Sequence, residues 1–130
     1  MPSILLVEDE FVVSMTLRVQ LEAIGCEVIG TARSAEDGVQ LARKLAKGLD
    51  LIITDIGLRG RSGVWLIREV RRLRGLRKTP ILVVTAYGDD RVKEALDAGA
   101  SLALMKPVGE ESLAEAISTM LAPKRGRHGR

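Results

Sequence analysis

The chain has 130 residues, of which 46% are hydrophobic and 28% charged, enough for one domain with a core of its own. Aromatics are only 2%, so packing must rest on Leu, Ile, Val and Ala, which argues against a nucleic-acid surface built on aromatic stacking. The net charge of +3 comes from the end of the chain: PKRGRHGR holds four Lys or Arg and no acid, and without it 16 basic residues face 17 acidic ones.

In chain order, Ser3 to Val7 reads as a buried strand. Phe11 to Ile24 reads as a helix, with Val12, Met15, Leu17, Val19 and Leu21 among its apolar positions and Gly25 as its stop. Glu27 to Ala32 is a second strand. Ser34 then caps a helix reaching about Lys47, with Val39, Ala42, Leu45 and Ala46 near helical spacing. Leu51 to Thr54 is a third strand, followed by the loop GLRGRSG and a helix from about Val64 to Leu73. Pro80 opens a fourth strand, ILVVT, at a position where a strand tolerates proline. A short helix spans about Asp90 to Asp97, Ser101 to Met105 is the fifth strand, and Glu110 to Leu121 the last helix.

Five strands alternate with helices, and each strand is a continuous apolar run. That pattern predicts an α/β fold with a parallel sheet covered on both faces, in the flavodoxin-like strand order 2-1-3-4-5. The predicted domain is 1–122, with a basic, disordered tail over 123–130. The tail reads as a solvated end, with a phosphate-binding or nucleic-acid-binding arm, or the start of a linker, as alternatives. The single cysteine, Cys26, excludes an internal disulfide and reads as a small residue at a strand edge. The start MPSILLVEDE is not a signal peptide, and no apolar run approaches the roughly 18 residues of a spanning helix. A cytoplasmic location is expected.

The chemistry gathers where strands end. Glu8 and Asp9 follow ILLV, Asp55 follows LIIT, Thr85 ends ILVVT, and Lys106 follows LALM. In an open parallel sheet these carboxyl ends form one edge, where ligand crevices open. Two carboxylates about 4 Å apart repel by roughly 4 kcal/mol at an effective dielectric near 20, so such a cluster takes up protons or binds a cation. Oxygen-only ligands in a shallow site suit Mg²⁺. Asp9 and Asp55 are the expected direct ligands, Glu8 acts through water, and the carbonyl of Gly57 is a candidate third. With the metal neutralising like charges, Asp55 is the expected nucleophile toward a phosphoryl donor. Lys106 and Thr85 would then hold the phosphoryl oxygens. The Lys106–Pro107 bond is a candidate for the cis form.

The stretches ILLVEDE, LIITDIGLRGRSG, ILVVTAYG and LALMKPV resemble, in order and spacing, the CheY-like receiver domain of bacterial two-component response regulators. The resemblance covers residues 3 to about 122. It implies a phosphoacceptor at Asp55, an acidic metal pair at Glu8 and Asp9, a switch hydroxyl at Thr85 and a conserved-type lysine at Lys106. It implies a phosphoryl donor that is a sensor histidine kinase or histidine phosphotransfer protein, phosphoryl loss by autohydrolysis, and a signalling role rather than that of a metabolic enzyme. A protein output partner is expected, a homodimer is an open option, and neither direct nucleic-acid binding nor membrane binding is expected.

The sequence departs from that pattern in three places. The acidic pair is Glu-Asp rather than Asp-Asp, Arg59 stands where proline is frequent, and Ala103 lies where many receivers carry Tyr or Phe. An alanine there cannot report a movement of Thr85, which leaves Tyr87 as a candidate. Between Arg59 and Lys78 eight basic residues face one acid, Glu69; a solvated helix face and a docking surface for an acidic partner are the two readings. Trp65 reads as a packed helix residue. Two rival functions remain. One is a receiver-fold binding module that is not phosphorylated. The other is a metal-dependent phosphatase, which needs a second acid where Gly57 stands. The chain reads as complete and acting through protein partners, with a cut near Pro123 from a longer regulator as the alternative.

Overall fold

A computed structural model describes residues 1–122; the tail expected at 123–130 lies outside the described residues. Five parallel strands form one sheet in the order 2-1-3-4-5, as the apolar runs predict. They are β1 (Ser3–Val7), β2 (Glu27–Ala32), β3 (Leu51–Thr54), β4 (Ile81–Thr85) and β5 (Leu102–Met105). The helices are α1 (Phe11–Ala23), α2 (Ala35–Leu45), α3 (Gly63–Arg72), α4 (Asp89–Ala98) and α5 (Glu110–Leu121).

Alternation along each strand divides the core in two. Leu5, Val7, Ile52, Val83 and their neighbours pack against α2, α3 and α4. Ile4, Leu6, Ile53, Leu82 and Val84 pack against α1 and α5. Every residue of β3 and β4 is buried, because both faces of the central strands are covered. Cys26 is buried just before β2 and belongs to the second of these clusters.

Local chemistry sets several helix ends. The Ser34 hydroxyl accepts the N–H of Asp37 and so caps α2, a contact worth about 1 kcal/mol. Helix α2 stops at Leu45, and a single 3-10 turn over Ala46–Gly48 completes the stretch expected as helix to Lys47. The expected start of α3 moves to Gly63, because the Ser62 hydroxyl accepts the N–H of Trp65. Gly25, at φ 91°, stops α1 in the left-handed region, where a glycine carries no steric cost. The Lys106–Pro107 bond is cis, as the sequence suggests.

Arg71 fastens the far end of α3. Its guanidinium donates to the carbonyls of Gly99, Leu76 and Thr79 at 2.7 to 3.0 Å. Burial holds its pKa below the ordinary arginine value. Gly99 has φ 123°, and a Cβ there would meet the Arg71 side chain at 2.9 Å. The remaining cations between Arg59 and Lys78 are exposed. Trp65 packs against the core as expected, with the Arg61 guanidinium 5.0 Å from its ring centroid.

Helix α1 departs most from its expected role. Leu17 and Leu21 are buried, but Phe11 is 63% exposed, Val12 73%, Met15 48% and Val19 62%. These four lie on one side of the helix. Among the described residues no helix is long and apolar enough to cross a membrane.

Candidate functional site

Sheet register brings the acids together. Val7 of β1 pairs with Thr54 of β3, so the next residues, Glu8 and Asp55, leave the sheet side by side. Ladder bonds fix their backbones: Glu8 N–H donates to the Ala32 carbonyl at 3.0 Å and Asp55 N–H to the Val7 carbonyl at 3.2 Å. Thr54 pairs with Val83, so β4 runs further and sets Thr85 beyond Asp55 along the same edge. Thr85 pairs with Met105, and the N–H of Lys106 donates to the Thr85 carbonyl at 2.9 Å. Segments nearly a hundred residues apart thus meet at one edge, as their positions after the strands predict.

Asp55 is buried and its two oxygens have different duties. Oδ1 accepts from the N–H of Ile56 at 2.6 Å and from that of Gly57 at 3.3 Å. Among the described residues, Oδ2 accepts only from Lys106 Nζ, at 2.7 Å. The backbone therefore fixes the carboxylate plane, and Oδ2 is the oxygen left for chemistry. Gly63 supports this from behind. A Cβ on Gly63 would strike the Asp55 carbonyl, and the Gly63 N–H donates to the Ile56 carbonyl at 2.8 Å. Sequence reading passed over Gly63; its place directly after Ser62, a helix-capping type, was the available signal.

Lys106 Nζ also reaches Glu8 Oε1 at 2.9 Å, while Glu8 Oε2 accepts the N–H of Glu10 at 3.1 Å. Burial pushes the Glu8 carboxyl above its usual value, against the lowering effect of Lys106. Burial also works to lower Lys106, but hydrogen bonds to Asp55 and Glu8 outweigh it and leave the ammonium above its usual value. The two shifts have opposite causes: dehydration raises Glu8 despite the ammonium, and the paired carboxylates raise Lys106 despite dehydration.

Asp9 is half-buried beside Glu8 and forms no hydrogen bond or ion pair among the described residues. Of the four expected metal ligands, Glu8, Asp9 and Asp55 offer carboxylates and Gly57 only its backbone carbonyl. Among the described residues no three acidic, histidine or cysteine side chains gather closely enough to hold a metal ion. The Lys106 ammonium sits between Glu8 and Asp55.

Thr85 is fully buried, and its Oγ1 accepts the N–H of Tyr87 at 3.2 Å. The Tyr87 ring lies on the backbone of Gly57. Ala103 is half-buried against the α2–α4 side of the core, so no aromatic stands on β5 near Thr85. Beside Lys106, a groove of about 400 Å³ runs between Val12, Thr16 and Gln20 of α1 and Pro107 and Val108 after β5.

Comparison with known proteins agrees with this arrangement. Residues 4–118 match the family described as the response regulator receiver domain. The chain is 35% identical over 122 residues to the phosphate regulon transcriptional regulatory protein PhoB of Rhizobium meliloti, covering 93% of this chain and 52% of the relative. It is 29% identical over 119 residues to the chemotaxis protein CheY of Treponema pallidum, covering 91% of this chain and 81% of the relative. Among solved structures, the receiver domain of the sensor histidine kinase PA1611 from Pseudomonas aeruginosa, with a magnesium ion coordinated in its active site cleft, superposes with a TM-score of 0.84. It is 27% identical and covers 94% of this chain and 98% of that one. The chain spans about half the length of PhoB, so what PhoB does as a whole protein belongs to more than the shared region. On sequence, fold and the order of its edge residues, the chain belongs to the receiver domain family of two-component response regulators.

Proposed function

We propose that the chain is a phosphorylation switch that accepts a phosphoryl group on Asp55 Oδ2. The observation that carries this reading is the division of labour at that carboxylate: Oδ1 is held by two backbone N–H groups, and Oδ2 has only the Lys106 ammonium. The donor is the phosphohistidine of a histidine kinase or phosphotransfer protein. Oδ2 forms the new bond to phosphorus as the phosphorus–nitrogen bond breaks, and the departing imidazole nitrogen takes up a proton. Lys106 is placed to follow the charge from the carboxylate to a phosphoryl oxygen, and Thr85 to donate its hydroxyl to another. Autohydrolysis of the phosphoaspartate returns the switch.

The donor set suits Mg²⁺ on chemical grounds: Asp9, Asp55 and the Gly57 carbonyl offer only oxygen, and the Asp9 carboxylate has no competing partner among the described residues. Bound there, with Glu8 acting through water, the ion supplies positive charge against the approaching phosphoryl group. The open side of α1 fits the donor protein. Phe11, Val12, Met15 and Val19 form an apolar stripe directly after Glu8 and Asp9, suited to a helix laid against it.

The test is the intact mass of the protein after incubation with Mg²⁺ and acetyl phosphate, beside Asp55→Ala. One phosphoryl group should appear on the native protein and none on the variant. Loss of uptake when Mg²⁺ is chelated would support the metal. No uptake by the native protein would overturn the reading in favour of a receiver-fold binding module that is not phosphorylated.

A further inference from the structure

We propose that Tyr87 is the positioning residue that carries the state of Thr85 to helix α4, with Gly57 as the seat its ring leaves on phosphorylation. This rests on the reading that Asp55 is the phosphoacceptor, and it specifies how that event leaves the site.

Three contacts of Tyr87 carry the argument. First, its N–H donates to Thr85 Oγ1 at 3.2 Å. Thr85 is fully buried, so its hydroxyl has few partners, and a rotation toward a phosphoryl oxygen on Asp55 withdraws the acceptor from the Tyr87 N–H. A backbone donor that loses its acceptor must find another partner, and the loop rearranges to supply one. Second, the ring occupies the space where residue 57 has no side chain. A Cβ on Gly57 would lie 2.9 Å from Tyr87 Oη and 3.0 Å from Cζ, so the contact exists only because position 57 is glycine. Third, the Arg91 guanidinium lies 4.9 Å from the ring centroid. Arg91 belongs to the first turn of α4.

The ring therefore bridges the loop after Asp55 and the start of α4. Its 44% exposure leaves it room to move without opening the core. Arg91 in turn ion-pairs with Glu94 of the same helix, Nε to Oε1 at 3.5 Å, which ties the partner of the ring to α4. No other aromatic can do this: the chain has one Phe, one Trp and one Tyr, and Phe11 and Trp65 lie on α1 and α3.

The single tyrosine makes the test direct. Protein labelled with 3-fluorotyrosine gives one fluorine resonance, and its shift between H₂O and D₂O grows with ring exposure. With Mg²⁺ and acetyl phosphate that isotope shift should increase in the native protein as the phosphoryl group appears by mass. Gly57→Ala should show the larger isotope shift before any donor is added. Thr85→Val should show the same value before and after phosphorylation. An isotope shift unchanged in fully phosphorylated native protein overturns the role of Tyr87 and leaves Asp55 as acceptor. Absence of phosphoryl uptake overturns both.

Discussion

Helices α1 and α3 lie on opposite faces of the same sheet and dispose their apolar residues in opposite ways. In α3, Val64, Leu66, Ile67 and Val70 all enter the core while Arg68 and Arg72 face water. In α1, Leu17 and Leu21 enter the core, yet Phe11, Val12, Met15 and Val19 stay outside. The apolar positions of α3 therefore report folding alone. Those of α1 report two surfaces, one closed by the sheet and one left open beside Glu8 and Lys106. An exposed apolar stripe of this kind is the surface on which the proposed donor protein would sit.

The largest test of this contrast is Ile67→Ala in α3. It should lower unfolding free energy by about 2–5 kcal/mol, read by urea denaturation. A comparable loss from Val19→Ala in α1 would erase the distinction.

A second test lies at the base of the groove under α1, where Lys106 joins Glu8 and Asp55. Lys106→Met should cost about 1–3 kcal/mol by leaving two buried carboxylates without their shared donor. The sign with pH follows from the raised lysine value. The contribution of Lys106 is fully present below the ordinary lysine pKa and is lost as pH rises through its higher folded value. Native protein should weaken in that alkaline window, whereas Lys106→Met should lack that component of the decline.

The smallest effect on stability, and the sharpest on function, is expected from Val12→Ser combined with Val19→Ser. Each exposed change should stay within about 0.5 kcal/mol. Phosphorylation by acetyl phosphate should proceed at the native rate, while transfer from a protein phosphohistidine slows. Equal rates from both donors would show that the open stripe serves another partner.

Much of this molecule is legible in its sequence, for a physical reason. A strand covered on both faces has no polar position, so ILLV, LIIT and ILVV announce themselves, and the residues after them must share an edge. Glu8, Asp55, Thr85 and Lys106 are readable on that ground alone. The helix ends are less so. Ser62 and Gly63 hide within a loop rich in glycine and arginine, and only the contact with the Asp55 carbonyl reveals why glycine begins α3. Periodicity identifies α1 as a helix but cannot tell Leu17 from Val19, since nothing in one chain marks which apolar side meets its own sheet. The seat of Tyr87 on Gly57 is likewise invisible, because it depends on how two loops meet across the edge.

Arg71 has a consequence of another kind. One guanidinium holds three carbonyls, from the segment after α3 and from the turn between α4 and β5. Those pieces cannot separate without breaking several bonds to a single charged group. In amide hydrogen exchange they should behave as one cooperative unit, with the residues around Thr79 and Gly99 losing protection together. The end of the molecule far from Asp55 would then be its stiff frame, against which the loop of Tyr87 is free to move.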